Sequence, residues 1–109
     1  MEVNEFIKCV AEKRKNLSCG GKVFAEEPEL VLAIGLCAEA GEVASAVRGE
    51  CYYGKPRGAI TDKSSLPNEL ADVFVFLAAL CDKCGVNLEE VVLSKMKMNE
   101  ERYGDKKSC

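Results

Sequence analysis

A chain of 109 residues, 48% hydrophobic and 30% charged, has the size and balance of one globular domain, which we assign to residues 1–109. Its 15 basic and 18 acidic residues give a net charge of −3 without a long basic block, which disfavours direct binding to nucleic acid. The N-terminus lacks the continuous apolar stretch of a secretory signal. The longest fully apolar run, residues 73–81, is too short to cross a membrane, so we expect a cytoplasmic protein.

The cysteines agree with that setting. There are seven, an odd number without an export signal, which indicates reduced thiols in a cytosol. Cys81 and Cys84 form a C-x-x-C pair, but the chain has no histidine and no second cysteine pair at finger-like spacing, so a structural zinc site is disfavoured. Gly85 places the pair at the end of a helix, whereas thioredoxin-like thiols lie at a helix N-terminus.

The first two predicted elements are helices. Apolar residues recur at helical spacing over residues 2–16, which predicts an amphipathic helix ending before a turn at residues 18–21. Pro28 suits the first position of a second helix, which continues to about Arg48 because only two tolerable glycines interrupt it.

A long connection is predicted for residues 49–66, where glycine, proline and paired serines are concentrated. Loops of this length are often functional. This one either closes over a bound ligand or is an ordinary solvated loop. The residues that would make such a closure are Tyr52, Tyr53, Lys55, Arg57 and Lys63.

Two more helices complete the predicted fold. Pro67 opens the third, which stops near Gly85. Asn87 and Glu90 match the N-cap and third position of a capping box and begin a fourth helix, which ends near Tyr103. Since no strand pattern is found, the predicted class is all-α, a bundle of four to five helices.

The second and third helices each carry a pair of carboxylates in an otherwise apolar setting. Glu39 and Glu42 are the only charges between residues 30 and 47, and Glu69 and Asp72 are the only ones between residues 68 and 81. A spacing of i, i+3 places both members of a pair on one helix face. A single pair of this kind is usually a solvated face, but helices that are apolar all round are normally buried.

Buried carboxylates require a source of positive charge, and neither helix offers Lys or Arg in its interior. An oxygen-only ligand set favours Mg²⁺, with Mn²⁺ as a substitute, over zinc, copper or iron. Small residues on the face of the first pair would leave space for a metal and a ligand. They are Gly35, Ala38, Ser45, Ala46 and Gly49.

A polar stripe on the fourth helix forms a second candidate site. Lys95, Asn99 and Arg102 follow one another at i, i+4 and i+7, with Tyr103 beside them. Lys, Asn and Arg donors suit phosphate oxygens. A basic last turn also complements the helix dipole, so the stripe has weight mainly in combination with the carboxylates.

These residues resemble the MazG-like family of all-α nucleoside triphosphate pyrophosphohydrolases. The family's Glu-x-x-Glu and Glu-x-x-Asp motifs stand at residues 39–42 and 69–72, and the resemblance extends over residues 30–103. The family's Lys-x-x-x-Asn-x-x-Arg-Tyr ending is matched by Lys95, Asn99, Arg102 and Tyr103. The chain departs from many relatives in lacking Trp and in having Phe76 where they have Tyr, which leaves base selectivity open.

The resemblance implies Mg²⁺-dependent hydrolysis of nucleoside triphosphates to monophosphate and pyrophosphate, as a house-cleaning activity against unwanted nucleotides. Glu39, Glu42, Glu69 and Asp72 would hold the metal, with Glu39 or Glu42 also a candidate general base. The basic stripe would bind phosphates, and the apolar helices predict a homodimer or homotetramer. Two alternatives stay open: a phosphoribosyl-ATP pyrophosphohydrolase, and a non-catalytic helical module that binds a nucleotide or a protein partner.

Overall fold

The structure, a computed structural model, describes residues 1–52 and 65–104. Within these ranges, four α-helices account for most of the chain, which confirms the all-α class. In chain order the elements are α1 (Val3–Lys15), β1 (Ser18–Cys19), β2 (Lys22–Val23), a 3-10 turn (Phe24–Glu26), α2 (Glu29–Tyr52), α3 (Ser65–Cys84) and α4 (Leu88–Tyr103).

The ladder of β1 and β2 differs from the sequence-based expectation of a simple turn. Ser18 pairs with Val23 in antiparallel fashion, and the two strands are joined through Gly20 and Gly21. Both glycines have positive φ, at 57° and 82°, which is the backbone conformation that a tight two-residue hairpin requires. Strands of two residues are too short to show an alternating pattern, so periodicity does not reveal them.

The helix bounds differ from the predicted ones by a few residues. Pro28 precedes α2 instead of opening it, and its carbonyl accepts the first helical hydrogen bond from Leu32 N at 3.2 Å. At its other end, α2 continues past Arg48 to Tyr52. Pro67 lies in the first turn of α3, where its missing N–H would have no helical acceptor.

The turn between α3 and α4 follows the prediction. Gly85 adopts φ 68° and ends α3, with Val86 N donating to Cys81 O at 2.9 Å. The Asn87 side chain then caps α4 by accepting a hydrogen bond from Glu90 N at 3.1 Å. The stop signal and the N-cap read from the sequence are both confirmed.

Helix α3 lies at the centre of the fold and packs against both α1 and α2. The small core comes from these three helices, and its apolar members are Ile7, Ala11, Leu32, Ala78, Ala79 and Cys81. Leu32 near the start of α2 lies by Ala79 near the end of α3, whereas Glu39, further along α2, lies by Asp72, nearer the start of α3. The two helices are therefore antiparallel.

Helix α4 is attached mainly at its N-terminus. Asn4 of α1 donates to Asn87 Oδ1 at 2.8 Å, and its own Oδ1 accepts from Glu89 N at 3.3 Å. None of the α4 side chains is buried. Most of this helix is consequently open on the single chain.

Helix α2 carries a large apolar surface. The segment Glu29–Val47 has a mean hydropathy of 1.7, and by length and composition alone it would suffice to cross a membrane. The sequence-based expectation considered only uninterrupted apolar runs, and all of these are too short. Only 6% of that window is buried within the chain. Core helices of water-soluble proteins pass the same test, so the segment is weak support for a membrane span.

Candidate metal centre

Three of the four predicted acids meet where α2 faces α3. One carboxylate oxygen from each of Glu39, Glu69 and Asp72 lies within 4.8 Å of the other two. Glu39 comes from the middle of α2, while Glu69 and Asp72 lie one turn apart on α3. Antiparallel packing thus brings together residues that are 30 or more positions apart in the sequence. We call Glu39, Glu69 and Asp72 the acid cluster.

The members of the acid cluster differ in exposure. Glu39 and Glu69 are half-buried between the helices, and Asp72 is exposed. The cluster therefore lies at the edge of the helix contact, where one side is closed by protein and the other is open to solvent.

Glu42 lies outside the acid cluster, although the sequence places it with the other three. Glu42 follows Glu39 by three residues, roughly 4.5 Å further along the axis of α2. Glu42 is exposed. It remains near enough to Glu39 to act on that carboxylate electrostatically.

The pKa of Glu39 is raised above the ordinary glutamate value of 4.5. Partial burial is the main cause, because it disfavours the charged form. The negative charges of Asp72, Glu69 and Glu42 raise the pKa further, in that order. The charged form of Glu39 is thus disfavoured by its surroundings.

No compensating cation is found among the described side chains. The ion pairs within residues 1–52 and 65–104 join Arg14 to Glu27 at 2.7 Å and Lys15 to Asp82 and Glu12. None of them includes a member of the acid cluster. Like charges held this close disfavour one another's charged form, and carboxylate oxygens are the ligands that Mg²⁺ and Mn²⁺ prefer, so the acid cluster is a candidate metal site.

One of the small residues predicted to leave space beside Glu39 and Glu42 does not do so. Gly35 lies one turn before Glu39, and the Phe76 ring of α3 occupies the position next to its Cα. The expectation that Gly35 leaves room for a metal or a ligand is therefore wrong, since that room is filled by an aromatic side chain. Ala38 and Ser45 are exposed in the single chain.

The polar stripe on α4 forms a group of its own. Lys95, Asn99 and Arg102 line an open depression of about 300 Å³, together with Met98 and Glu101. The Arg102 guanidinium lies 5.7 Å from the centre of the Tyr103 ring. Among the described residues, neither Lys95 nor Arg102 pairs with the acid cluster. Within the described residues, the predicted phosphate site and the predicted metal site share no residue and no ion pair.

The predicted closing loop can be followed only at its start. The backbone of Tyr52 belongs to the last turn of α2. Tyr53, Lys55, Arg57 and Lys63 lie outside the described residues.

Comparison with known protein families identifies the family of this chain. The sequence model of the MazG nucleotide pyrophosphohydrolase domain matches residues 27–105, a range that includes the acid cluster, Glu42 and the stripe on α4. The chain belongs to the MazG nucleotide pyrophosphohydrolase family. The family predicted from the sequence is thereby confirmed.

Individual relatives point the same way. The chain is 38% identical over 74 residues to human (Homo sapiens) dCTP pyrophosphatase 1 and 34% identical over 74 residues to the mouse (Mus musculus) protein. The bovine (Bos taurus) protein is 33% identical over 79 residues. Each match covers 66% of this chain and 44% of the relative, so the chain spans less than half the length of these MazG-family relatives.

Proposed function

We propose that this protein hydrolyses nucleoside triphosphates, deoxynucleotides included, to nucleoside monophosphate and pyrophosphate with Mg²⁺ as cofactor. The observation that carries the proposal is the meeting of Glu39, Glu69 and Asp72 within 4.8 Å in a MazG-family domain. We place the activity in the cytoplasm, as removal of unwanted nucleotides. The names of the relatives favour dCTP as one substrate to test.

The acid cluster fits Mg²⁺ by the chemistry of its donors. It offers only carboxylate oxygens, its negative charge is uncompensated within the described residues, and its exposed side leaves room for the waters that Mg²⁺ retains. When bound, the metal would supply positive charge to the phosphate chain and make a water molecule more acidic. Mn²⁺ has the same ligand preferences and would replace it in assays.

Glu42 is our candidate for the general base. It lies beside Glu39 but outside the acid cluster, and its exposure leaves its oxygens free to accept a proton from an attacking water. Glu39, Glu69 and Asp72 would hold the metal. Glu39 would contribute to catalysis by fixing the position of that metal. Glu42 would join them as a ligand if substrate binding draws it inward.

The polar stripe on α4 would bind the phosphates of the substrate. Lys95 and Arg102 supply positive charge, Asn99 supplies neutral donors and all three line one depression. Tyr103 closes the stripe next to the Arg102 guanidinium. Since α2 also exposes large apolar side chains such as Leu30 and Ile34, we propose that the substrate is bound in a homodimer or homotetramer.

The decisive experiment is release of pyrophosphate under Mg²⁺ from a panel of canonical and modified nucleotides, with dCTP and phosphoribosyl-ATP included. Asp72→Asn removes one charge without changing shape, so we expect loss of most activity and at least about tenfold weaker Mg²⁺ binding. The metal-free variant should be as stable as the wild type or more so, because repulsion is reduced.

Glu29→Gln is the matched control, an exposed acid at the start of α2 and ten residues before Glu39. It should retain wild-type turnover. Preference for phosphoribosyl-ATP would show that the chain is the alternative enzyme, a phosphoribosyl-ATP pyrophosphohydrolase. Absence of turnover on every nucleotide, together with absence of a Mg²⁺-induced rise in melting temperature, would leave the non-catalytic binding module as the better reading.

A further inference from the structure

The contact between Gly35 and Phe76 lies one helical turn from the acid cluster. Gly35 precedes Glu39 by four residues on α2, and Phe76 follows Asp72 by four residues on α3. Because the helices are antiparallel, the glycine and the ring face each other one turn away from Glu39 and Asp72. A change in the separation of the helices at this contact would therefore also move Glu39 relative to the carboxylates of α3.

The approach at this contact is too close for any side chain but hydrogen. A Cβ built on Gly35 would lie 2.7 Å from Cδ1 and 2.8 Å from Cζ of the Phe76 ring, and nearer still to Cε1. Cβ atoms essentially never come this close to other carbons, so a larger residue would displace either the ring or the helix. Glycine weakens the interior of a helix, and here the close approach explains its presence.

The ring is also held from other directions. The Arg14 guanidinium of α1 lies 4.8 Å from the centre of the Phe76 ring and 4.8 Å from that of Phe24, so it is sandwiched between two aromatic faces. Arg14 is itself buried and is held by the ion pair with Glu27 at 2.7 Å. Phe76 therefore has a guanidinium on one side and Gly35 on another, which makes rotation of the ring away from α2 costly.

We infer that Phe76 is a positioning residue that sets the separation of α2 and α3 at the acid cluster. Its ring packs directly on Gly35 of α2, and the Arg14 guanidinium holds the ring in place. Phe76 touches neither metal nor substrate in this role. It acts through the placement of Glu39 relative to Glu69 and Asp72. The inference rests on the proposed metal-binding function of the acid cluster.

Three variants test the inference on the full chain, with Mn²⁺ alone as the probe and its free concentration measured by electron paramagnetic resonance. Gly35→Ala should weaken Mn²⁺ binding by about tenfold or more, as loss of an outer-shell support commonly does. Gly35→Ala with Phe76→Leu should recover most of that affinity, because the smaller side chain makes room for the new Cβ. The loss should appear in kcat more than in KM for the nucleotide, since the stripe on α4 is untouched.

The matched control is Gly35→Ala combined with Phe74→Leu. Phe74 lies on the same helix, but its ring stacks on Phe6 of α1 at 5.4 Å between centroids. The same truncation at this site should not restore Mn²⁺ binding. Equal affinity of Gly35→Ala and wild type would overturn the inference, as would equal recovery by the Phe74 and Phe76 truncations.

A double-mutant cycle on urea unfolding of the metal-free protein separates this inference from the proposed function. Coupling between Gly35→Ala and Phe76→Leu, with normal Mn²⁺ binding in the wild type and weak binding in Gly35→Ala, supports both. A wild type that binds no Mn²⁺ and releases no pyrophosphate would refute the proposed function and the metal-positioning role with it. Normal wild-type binding without any effect of Gly35→Ala would refute the positioning role alone.

Discussion

At the scale of single residues, Glu39 is where burial and repulsion meet. Its carboxylate is half-buried, three other acids act on it, and its pKa is raised as a result. A protein that needed this glutamate only for packing would do better with a neutral side chain of the same shape. The charge of Glu39 is therefore consistent with the proposed metal-binding role of the acid cluster.

The raised pKa of Glu39 predicts a specific pH dependence. Because the folded state holds this proton more tightly than the unfolded state, the contribution to stability is fully present below the unfolded pKa and is lost as pH rises through the folded value. We expect Glu39→Gln to remove this loss, so that the metal-free variant gains stability over wild type towards neutral pH. Urea unfolding of both proteins between about pH 4 and pH 8 measures the difference.

Mg²⁺ should act in the opposite direction, since it competes with the proton for the same oxygens. The Mg²⁺-induced rise in melting temperature of the wild type should therefore be largest near neutral pH and shrink on acidification. Parallel stability curves for Glu39→Gln and wild type, without metal, would contradict the account of Glu39.

Lys95 carries a second prediction at this scale. A hydrogen bond to a charged group contributes about 1.5–3 kcal/mol, so loss of a phosphate contact in Lys95→Ala should lower kcat/KM at least about tenfold. KM should rise and kcat should fall. The melting temperature should stay unchanged, because Lys95 is exposed.

Lys97→Ala is the control for charge alone. It removes the same side chain from the same exposed helix, but Lys97 does not line the depression formed by Lys95, Asn99 and Arg102. Steady-state kinetics with one nucleotide suffices for both variants. Equal effects of the two substitutions would show that net charge, and not a phosphate contact, is responsible.

At the scale of elements, local signals were enough to place the four helices. The glycine after α3 and the asparagine before α4 act on their immediate neighbours, and the structure has them where the sequence predicts. The end of α2 is harder to predict, because Gly49 and Gly54 are weak helix formers that suggest an earlier stop, and the helix nevertheless continues to Tyr52. Helix ends are commonly uncertain by one or two residues.

Contacts between elements are a different matter. The spacing of two acids on one helix is readable, so the meeting of Glu39 with Glu69 and Asp72 follows once α2 and α3 are known to pair. The sandwich of Arg14 between Phe24 and Phe76 has no such signal, because its three members come from separate elements. The same holds for Gly35, whose free volume is filled from another helix.

At the scale of the whole molecule, residues 1–52 and 65–104 leave a large apolar surface uncovered. Leu30 and Ile34 lie one turn apart on α2 and are 70% and 60% exposed. On α4, the large apolar side chains are all at least partly exposed and none is buried. Placing α2 across a bilayer would cover its apolar side chains but would also bury Glu39 and Glu42 in hydrocarbon, which is expensive.

A second copy of the chain would cover this surface without that penalty. Obligate dimers often bury apolar faces that resemble a core cut in half, and a domain this short has little core of its own. The depression on α4 and the acid cluster, which share no residue, would then belong to one assembly. We therefore expect a homodimer or a dimer of dimers, with a melting temperature that rises with protein concentration.

Ile34→Glu tests this assembly, because it places a charge on the most apolar exposed stretch of α2. In a monomer the substitution would be harmless at 60% exposure, whereas in an apolar interface an unpaired charge should destabilise the fold by at least about 2 kcal/mol. Light scattering should show dissociation or unfolding of Ile34→Glu at micromolar concentration. Val3→Glu is the control, since Val3 has similar exposure, 53%, and an acid in the first turn of α1 suits the helix dipole. A wild type that stays a folded monomer at micromolar concentration, with Ile34→Glu equally stable, would refute the assembly and leave the exposed face of α2 without a partner.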